Sequence, residues 1–121
     1  MQKRGEACRD KQGCWDTGEG VLKFKEEVEK RLKKEIKEEF GVEILKFYFL
    51  GYRSVKREFE NKKTHWLTLD FKGLVDRNKV KNNELHKFSE IDWFSFDNLP
   101  QPLHSQLLKF FEKYKKQLKN F

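Results

Sequence analysis

Hydrophobic residues recur at helical spacing in two separate parts of the chain. From residue 26 to residue 40 the apolar positions fall four apart and Gly41 follows, which predicts a helix that ends at residue 40. Residues 102–118 also have helical spacing, which predicts a second, amphipathic helix packed on a sheet. Its apolar positions are Leu103, Leu107, Phe110, Phe111, Tyr114 and Leu118.

Strand patterns fill most of the sequence between the two helices. Residues 65–75 alternate between apolar and polar, which predicts a half-buried strand with Leu67, Leu69, Phe71 and Gly73 on one face and Trp66, Thr68, Asp70 and Lys72 on the other. Residues 43–53 form a second predicted strand, joined to the first through a polar turn at 57–65, and residues 90–96 a third. The stretches 1–19 and 76–87 read as irregular. The order predicts one α/β domain of the α+β type over residues 1–121, with a mixed sheet.

Composition indicates a folded domain with a basic surface. The chain has 12 Phe, 3 Trp and 3 Tyr, although 39% of its residues are charged, and its net charge is +7. That charge favours an anionic partner such as a nucleotide, nucleic acid or acidic lipid, but a generic surface rich in lysine and glutamate is the better explanation. Cys8 and Cys14 make no disulfide framework. Because the sequence has no apolar run of membrane length and no signal peptide, we expect no membrane contact and a cytoplasmic location.

The helix at 26–40 carries carboxylates where apolar residues are expected. On a helical wheel Val28, Leu32 and Ile36 define the apolar stripe, and the lysines fall opposite. Glu35 and Glu39 lie inside the stripe, at about 20° and about 60° from its start at residue 24, while Glu38 lies just off its edge. The residues alone leave three explanations open: Arg31, one turn away, pairs with Glu35; the carboxylates jointly hold Mg²⁺ or Mn²⁺; or this face turns to solvent.

The stretch around these glutamates resembles the Nudix box of the Nudix hydrolase superfamily. That signature is Gly, five residues, Glu, seven residues, then Arg-Glu, an apolar residue, any residue, Glu-Glu, any residue, Gly and an apolar residue. Gly20 and Glu26 hold the first two positions, and residues 34–42 read Lys-Glu-Ile-Lys-Glu-Glu-Phe-Gly-Val. Every position matches except Lys34. The segments CRDKQGCWDTGEG and EIDWFSFDNLPQPLH are also similar to the family, so the resemblance extends over residues 4–118.

The resemblance implies both a fold and a reaction. The fold is a mixed β-sheet sandwiched between helices, with the box as loop, helix and loop. The reaction is the Mg²⁺-dependent hydrolysis of a nucleoside diphosphate linked to another moiety X, in which water attacks a phosphorus of the pyrophosphate. The expected metal ligands for Mg²⁺ or Mn²⁺ are Glu35, Glu39, Glu38 and the backbone carbonyl of Gly20. The expected catalytic residues are Glu38, Glu39 and Lys34, which takes the place of an Arg that orients the glutamates.

Two further residues are expected to contact the substrate side of the site. Members of the family often use a later acidic residue, for which Glu84 is the first candidate and Glu90 the second, with a solvated loop glutamate as the alternative for each. Trp15 is a candidate for lining the nucleotide pocket, although a packed loop aromatic fits it as well. The expected partner is a nucleotide-type small molecule. No RNA-binding aromatic motif or zinc knuckle supports a nucleic acid.

The sequence also departs from the family pattern near the box. Lys34 keeps the charge of the signature Arg but loses its bidentate fork. Lys23 and Lys25 stand where many members have Glu and Gly, and a lysine held at positive φ at residue 25 would cost about 1 kcal/mol or more. The start is short, so first strands are expected to be missing. A truncated gene, a strand-supplying partner or a homodimer would each account for this. The alternative function is therefore a catalytically weak or inactive nucleotide-binding module.

Overall fold

The computed structural model describes residues 1–5, 13–17, 20–104 and 106–119, without the side chains of Trp15 and Phe59. This part of the chain contains five strands and two α-helices. The α+β class is confirmed. The described strands form two sheets with antiparallel pairings, one of order β2-β1-β5 and one of order β3-β4. In chain order the elements are β1 Gln2–Arg4, β2 Trp15–Asp16, α1 Val28–Phe40, β3 Ile44–Phe59, β4 Lys62–Val75, a short 3-10 helix Arg77–Lys79, β5 Phe88–Ile91 and α2 Leu107–Lys119.

Helix α1 ends where the sequence predicts and begins two residues later than expected. Gly41 adopts a left-handed conformation with φ 64° and donates its N–H to the carbonyl of Lys37. Glycine is suited to this position because it lacks the Cβ that strains other residues at positive φ. At the other end Glu27 is the N-cap and makes no side-chain capping bond, so Glu26 lies just before the helix rather than inside it.

The β3–β4 hairpin is longer than the sequence indicated. Its strands pair from Ile44 opposite Val75 to Phe59 opposite Lys62. The turn consists of Glu60 and Asn61, whose φ angles are 50° and 65°, the backbone that a tight two-residue hairpin turn requires. The prediction of a polar turn over residues 57–65 is therefore wrong, because most of those residues belong to the strands.

The start of the chain forms strands where none was predicted. β1 is the middle strand of its sheet: it pairs with β2 on one side and with β5 on the other. The N–H of Arg4 donates to the carbonyl of Cys14 at 2.9 Å, and Cys14 is a free thiol, while Cys8 lies outside the described residues. The irregular reading of residues 1–19 is thus wrong at β1 and β2. The third predicted strand is also displaced, to Phe88–Ile91.

Helix α2 packs on the hairpin and carries a cluster of buried apolar residues, as its apolar spacing predicts. Leu107, Phe110 and Tyr114 are buried, and the apolar side chains packed against them include Leu103, Phe111 and Leu118. The helix begins at Leu107, five residues later than predicted.

A buried acid joins α2 to the hairpin. Asp70 is 5% exposed, accepts two hydrogen bonds from the Arg53 guanidinium at 2.6 and 3.0 Å, and accepts a third from the Tyr114 hydroxyl at 2.8 Å. The alternation of residues 65–75 had placed Asp70 on the polar face, opposite the face expected to be buried. Here that expectation is wrong, since Leu67 on the apolar face is 70% exposed.

Candidate functional site

The glutamates of α1 face the directions that its periodicity predicts. Glu39 is 1% exposed, so it is among the most buried side chains described. Glu35 is half-buried beside the apolar residues of the same face, and Glu38 is exposed. The lysines cover the opposite side of the helix in solvent: Lys30, Lys33, Lys34 and Lys37. Two carboxylates therefore occupy the packed face of the helix.

Arg31 lies between two of the box carboxylates. One of its terminal nitrogens, Nη2, contacts Glu35 Oε1, and its Nε lies 3.7 Å from Glu26 Oε1. All three side chains are 14% exposed. Burial raises the pKa of Glu35 above its ordinary value; the Arg31 charge opposes that rise, and the charges of Glu38 and Glu84 add to it. The pairing between Arg31 and Glu35 that the sequence left open is present.

Lys34 is placed beside Glu38 and away from the packed face. Its ammonium nitrogen lies 4.0 Å from Glu38 Oε1, and the two side chains are 48% and 47% exposed. An exposed pair at this distance contributes little to stability, about 0.3–0.5 kcal/mol for residues four apart on a helix. Lys34, which holds the signature Arg position, thus forms an exposed ion pair with Glu38.

Gly20 lies directly against the Glu35 carboxyl group. A Cβ added at Gly20 would stand 2.4 Å from Glu35 Cδ, far inside van der Waals contact. A side chain at this place would require the Glu35 carboxylate to move. The contact brings the backbone of the approach loop, residues 20–27, up to the helix carboxylate, as a shared ligand set would require.

The approach loop adopts a backbone that its lysine disfavours. Lys25 has φ 62°, in the left-handed region, so it adopts the positive φ at which a lysine is strained. The turn that contains Lys25 is closed by the side chain of Glu26, which accepts from the Lys23 N–H at 3.1 Å, while the Glu26 N–H donates to the Lys23 carbonyl at 3.0 Å. Glu26 therefore both closes this turn and faces Arg31.

A later loop caps the end of α1 and carries Glu84 with it. The Lys81 N–H donates to the Phe40 carbonyl and the Asn83 N–H to the Glu39 carbonyl, both at 3.0 Å. The Asn83 side chain donates to the Glu38 carbonyl at 3.1 Å. These bonds satisfy carbonyls that a helix end leaves without partners. Half-buried Glu84 follows directly and lies close enough to raise the pKa of Glu35.

Sequence reasoning missed this capping loop, although the run Asn82-Asn83 just before Glu84 gave a signal for it. Glu90, the other acidic candidate, pairs with Lys3 at 3.4 Å across β1 and β5 instead. Trp15 belongs to β2, and its side chain lies outside the described residues.

The types of residue present suit a hard cation such as Mg²⁺ or Mn²⁺, but their arrangement in space suits it less well. Carboxylate and carbonyl oxygens are what Mg²⁺ and Mn²⁺ prefer, and the Gly20 backbone reaches the Glu35 carboxyl. Within residues 1–5, 13–17, 20–104 and 106–119, however, no three His, Cys, Asp or Glu side chains stand close enough together to hold a metal ion. Glu35 and Glu39 are the carboxylates on the packed face, and Gly20 lies against Glu35. Glu38 would have to turn inward to join them.

The fold and this helix define an α+β protein whose approach loop meets a carboxylate-bearing helix. The protein-family model of the NUDIX domain matches residues 1–114, so the chain belongs to the Nudix family. Among solved structures it is similar to that of the MutT NUDIX hydrolase from Burkholderia pseudomallei, at 26% identity and a TM-score of 0.72; the match covers 93% of this chain and 84% of that one. No curated protein matches the chain.

Family membership supports a hydrolase of the Nudix type that acts on nucleotide-like small molecules. None of the helices in the described residues is long and apolar enough to cross a membrane.

Proposed function

We propose that the protein is a Mg²⁺-dependent Nudix hydrolase that cleaves the pyrophosphate linkage of a nucleoside diphosphate joined to a moiety X. One observation carries the proposal beyond family membership: half-buried Glu35 and buried Glu39 share the packed face of α1, and Gly20 lies against the Glu35 carboxyl group. Carboxylates in such a place are costly unless a cation compensates them. Arg31 supplies one positive charge beside Glu35, and a bound divalent cation would add to it.

Different residues of the chain would have different roles in the reaction. Glu35, Glu39 and the Gly20 carbonyl would hold Mg²⁺ (or Mn²⁺), with Glu38 as a further ligand or as the base that takes a proton from the attacking water. The bound ion supplies positive charge against the diphosphate and lowers the pKa of water. Lys34 neutralises Glu38 when that carboxylate stays outside. Water adds to one phosphorus, the bridging P–O bond breaks, and the products are a nucleoside monophosphate and phosphorylated X.

A second candidate function is a catalytically weak or inactive nucleotide-binding module. The observation that favours it is the placement of Glu38, which is half-exposed and 4.0 Å from Lys34 instead of facing Glu35 and Glu39. Lys23 and Lys25 add positive charge to the approach loop, where they would attract phosphate without a metal. Such a module binds nucleotides with an affinity that does not depend on Mg²⁺.

The test is product release from a panel of nucleoside diphosphate derivatives with Mg²⁺ and after its removal by a chelator. We expect Mg²⁺-dependent release of a nucleoside monophosphate, and a loss of about 100-fold or more in Glu38→Gln if this carboxylate is the base. Glu29→Gln, which removes an exposed carboxylate from the first turn of α1, is the matched control and should keep full activity. Turnover that ignores the chelator, or an unaffected Glu38→Gln variant, contradicts the proposal. Calorimetry showing Mg²⁺-independent nucleotide binding without turnover supports the module instead.

A further inference from the structure

We infer that Arg31 is the principal positioning residue of the site and holds Glu35 in place for the cation, a role that Lys34 fills less well. The inference rests on the proposed function, since it assigns a part in that site. It starts from the two arginine–glutamate contacts described above, Arg31 Nη2 to Glu35 Oε1 and Arg31 Nε to Glu26 Oε1 at 3.7 Å. Arg31 is one of the seven unspecified residues between Glu26 and Lys34 in the Nudix signature, so the motif gives it no role.

The geometry makes Arg31 a link between the approach loop and the helix. Glu26 is fixed by the turn that it closes with Lys23, through hydrogen bonds of 3.1 and 3.0 Å. Because Arg31 contacts both residues, the fixed position of Glu26 also restrains Glu35. The Glu35 carboxyl also lies against Gly20. The planar guanidinium can contact both carboxylates from one side chain, which the single ammonium of a lysine does less well.

Burial decides between Arg31 and Lys34. Arg31, Glu26 and Glu35 are each 14% exposed, so water screens their interactions poorly. Lys34 and Glu38 are about half exposed and 4.0 Å apart, so water screens their charges and their pairing is weak. A carboxylate is held in a defined rotamer only by the first arrangement.

The Arg31 contact leaves Glu35 able to bind a metal. Among the described residues, the ion pair engages Glu35 Oε1, and a carboxylate offers a second oxygen to a cation. Residues that orient a ligand from behind typically change metal affinity or activity by about 10–100-fold when they are removed. We therefore expect a loss of this size on removing the guanidinium.

The test compares Arg31→Gln, Arg31→Lys and Lys34→Gln with the wild type, and uses Lys30→Gln, an exposed neighbour, as the matched control. Mn²⁺ is the probe, with the free ion counted by electron paramagnetic resonance, and kcat and KM are measured with Mg²⁺ and the best substrate of the panel. We expect Arg31→Gln to raise the Mn²⁺ dissociation constant and lower kcat by about 10-fold or more each, with KM changed less than threefold. Arg31→Lys should recover part of both losses, and Lys34→Gln should lose less than Arg31→Gln.

Three results would overturn the inference. One is an Arg31→Gln variant whose Mn²⁺ affinity and kcat stay within twofold of the Lys30→Gln control. Another is a Lys34→Gln loss equal to or larger than the Arg31→Gln loss. The third is wild-type protein that binds no Mn²⁺. Circular dichroism must show Arg31→Gln folded; if it is not, Arg31→Lys decides by the same two readouts. A wild type that binds Mn²⁺ without hydrolysing any substrate defeats the proposed function alone, because the dissociation constants still test Arg31.

Discussion

Replacing Lys25 should reveal the strain of the approach loop in a single comparison. Lys25 has φ 62°, and an L-residue in this region costs about 1–2 kcal/mol relative to glycine. Glycine in turn costs about 0.4–1 kcal/mol relative to alanine, because it leaves the unfolded chain more flexible. The difference between the middle values of these two ranges predicts that Lys25→Gly is more stable than Lys25→Ala by about 0.8 kcal/mol. Both variants lose the contact of Lys25 with the Phe24 ring, so that contact cancels in the comparison.

Lys23 provides the matched control two residues earlier. It lies in the same loop but is not among the described residues with positive φ, and its hydrogen bond to Glu26 uses its backbone N–H. At this position the order should be reversed, with Lys23→Ala more stable than Lys23→Gly by about 0.4–1 kcal/mol. Urea unfolding followed by circular dichroism measures all four variants. If alanine is as stable as glycine at residue 25, or if the two positions show the same order, the strain argument is refuted.

Four other predictions follow from contacts of the described residues. Asp70→Asn should destabilise the protein by about 2–3 kcal/mol in urea unfolding, because it leaves Arg53 without its charged partner. Burial and the hydrogen bond to Asp70 raise the pKa of Tyr114 to about 12. Folding therefore stabilises the neutral form of Tyr114. Its contribution to the stability of the protein is complete below about pH 10 and is lost as the pH rises towards 12. Tyrosinate absorbance follows the ionisation. Asn83→Ala should cost about 1 kcal/mol in the same unfolding assay, by removing the bond to the Glu38 carbonyl. Gly20→Ala should lower Mg²⁺-dependent turnover about 10-fold or more in the substrate panel, by displacing the Glu35 carboxylate.

The part of the site on α1 was predictable because it depends on local periodicity. A helix repeats about every 3.6 residues, so the faces of Glu35, Glu39 and the lysines follow from spacing alone. The end at Gly41 follows from the need for a left-handed residue. The pairing of Arg31 with Glu35 is also local, since the two residues are four apart.

The parts that the sequence did not predict depend on residues far apart in the chain. Asp70 is buried because Arg53 and Tyr114, from β3 and α2, both bond to it, and alternation along one strand says nothing about such partners. The capping of α1 by Asn83 joins residues 45 apart in sequence. β1 has three residues, too few for a pattern, and is defined by its pairing with β2 and β5.

The position of the glutamates along α1 gives a further reason to assign them a function. Glu38 and Glu39 lie in the last turn of the helix, where the negative end of its dipole opposes carboxylates by about 0.3–1 kcal/mol. In the pairs Arg31–Glu35 and Lys34–Glu38 the cation precedes the carboxylate, which is the less favourable order on a helix. Helix stability therefore does not account for these residues. A divalent cation at their end of the helix would compensate the dipole and the mutual repulsion of the carboxylates together.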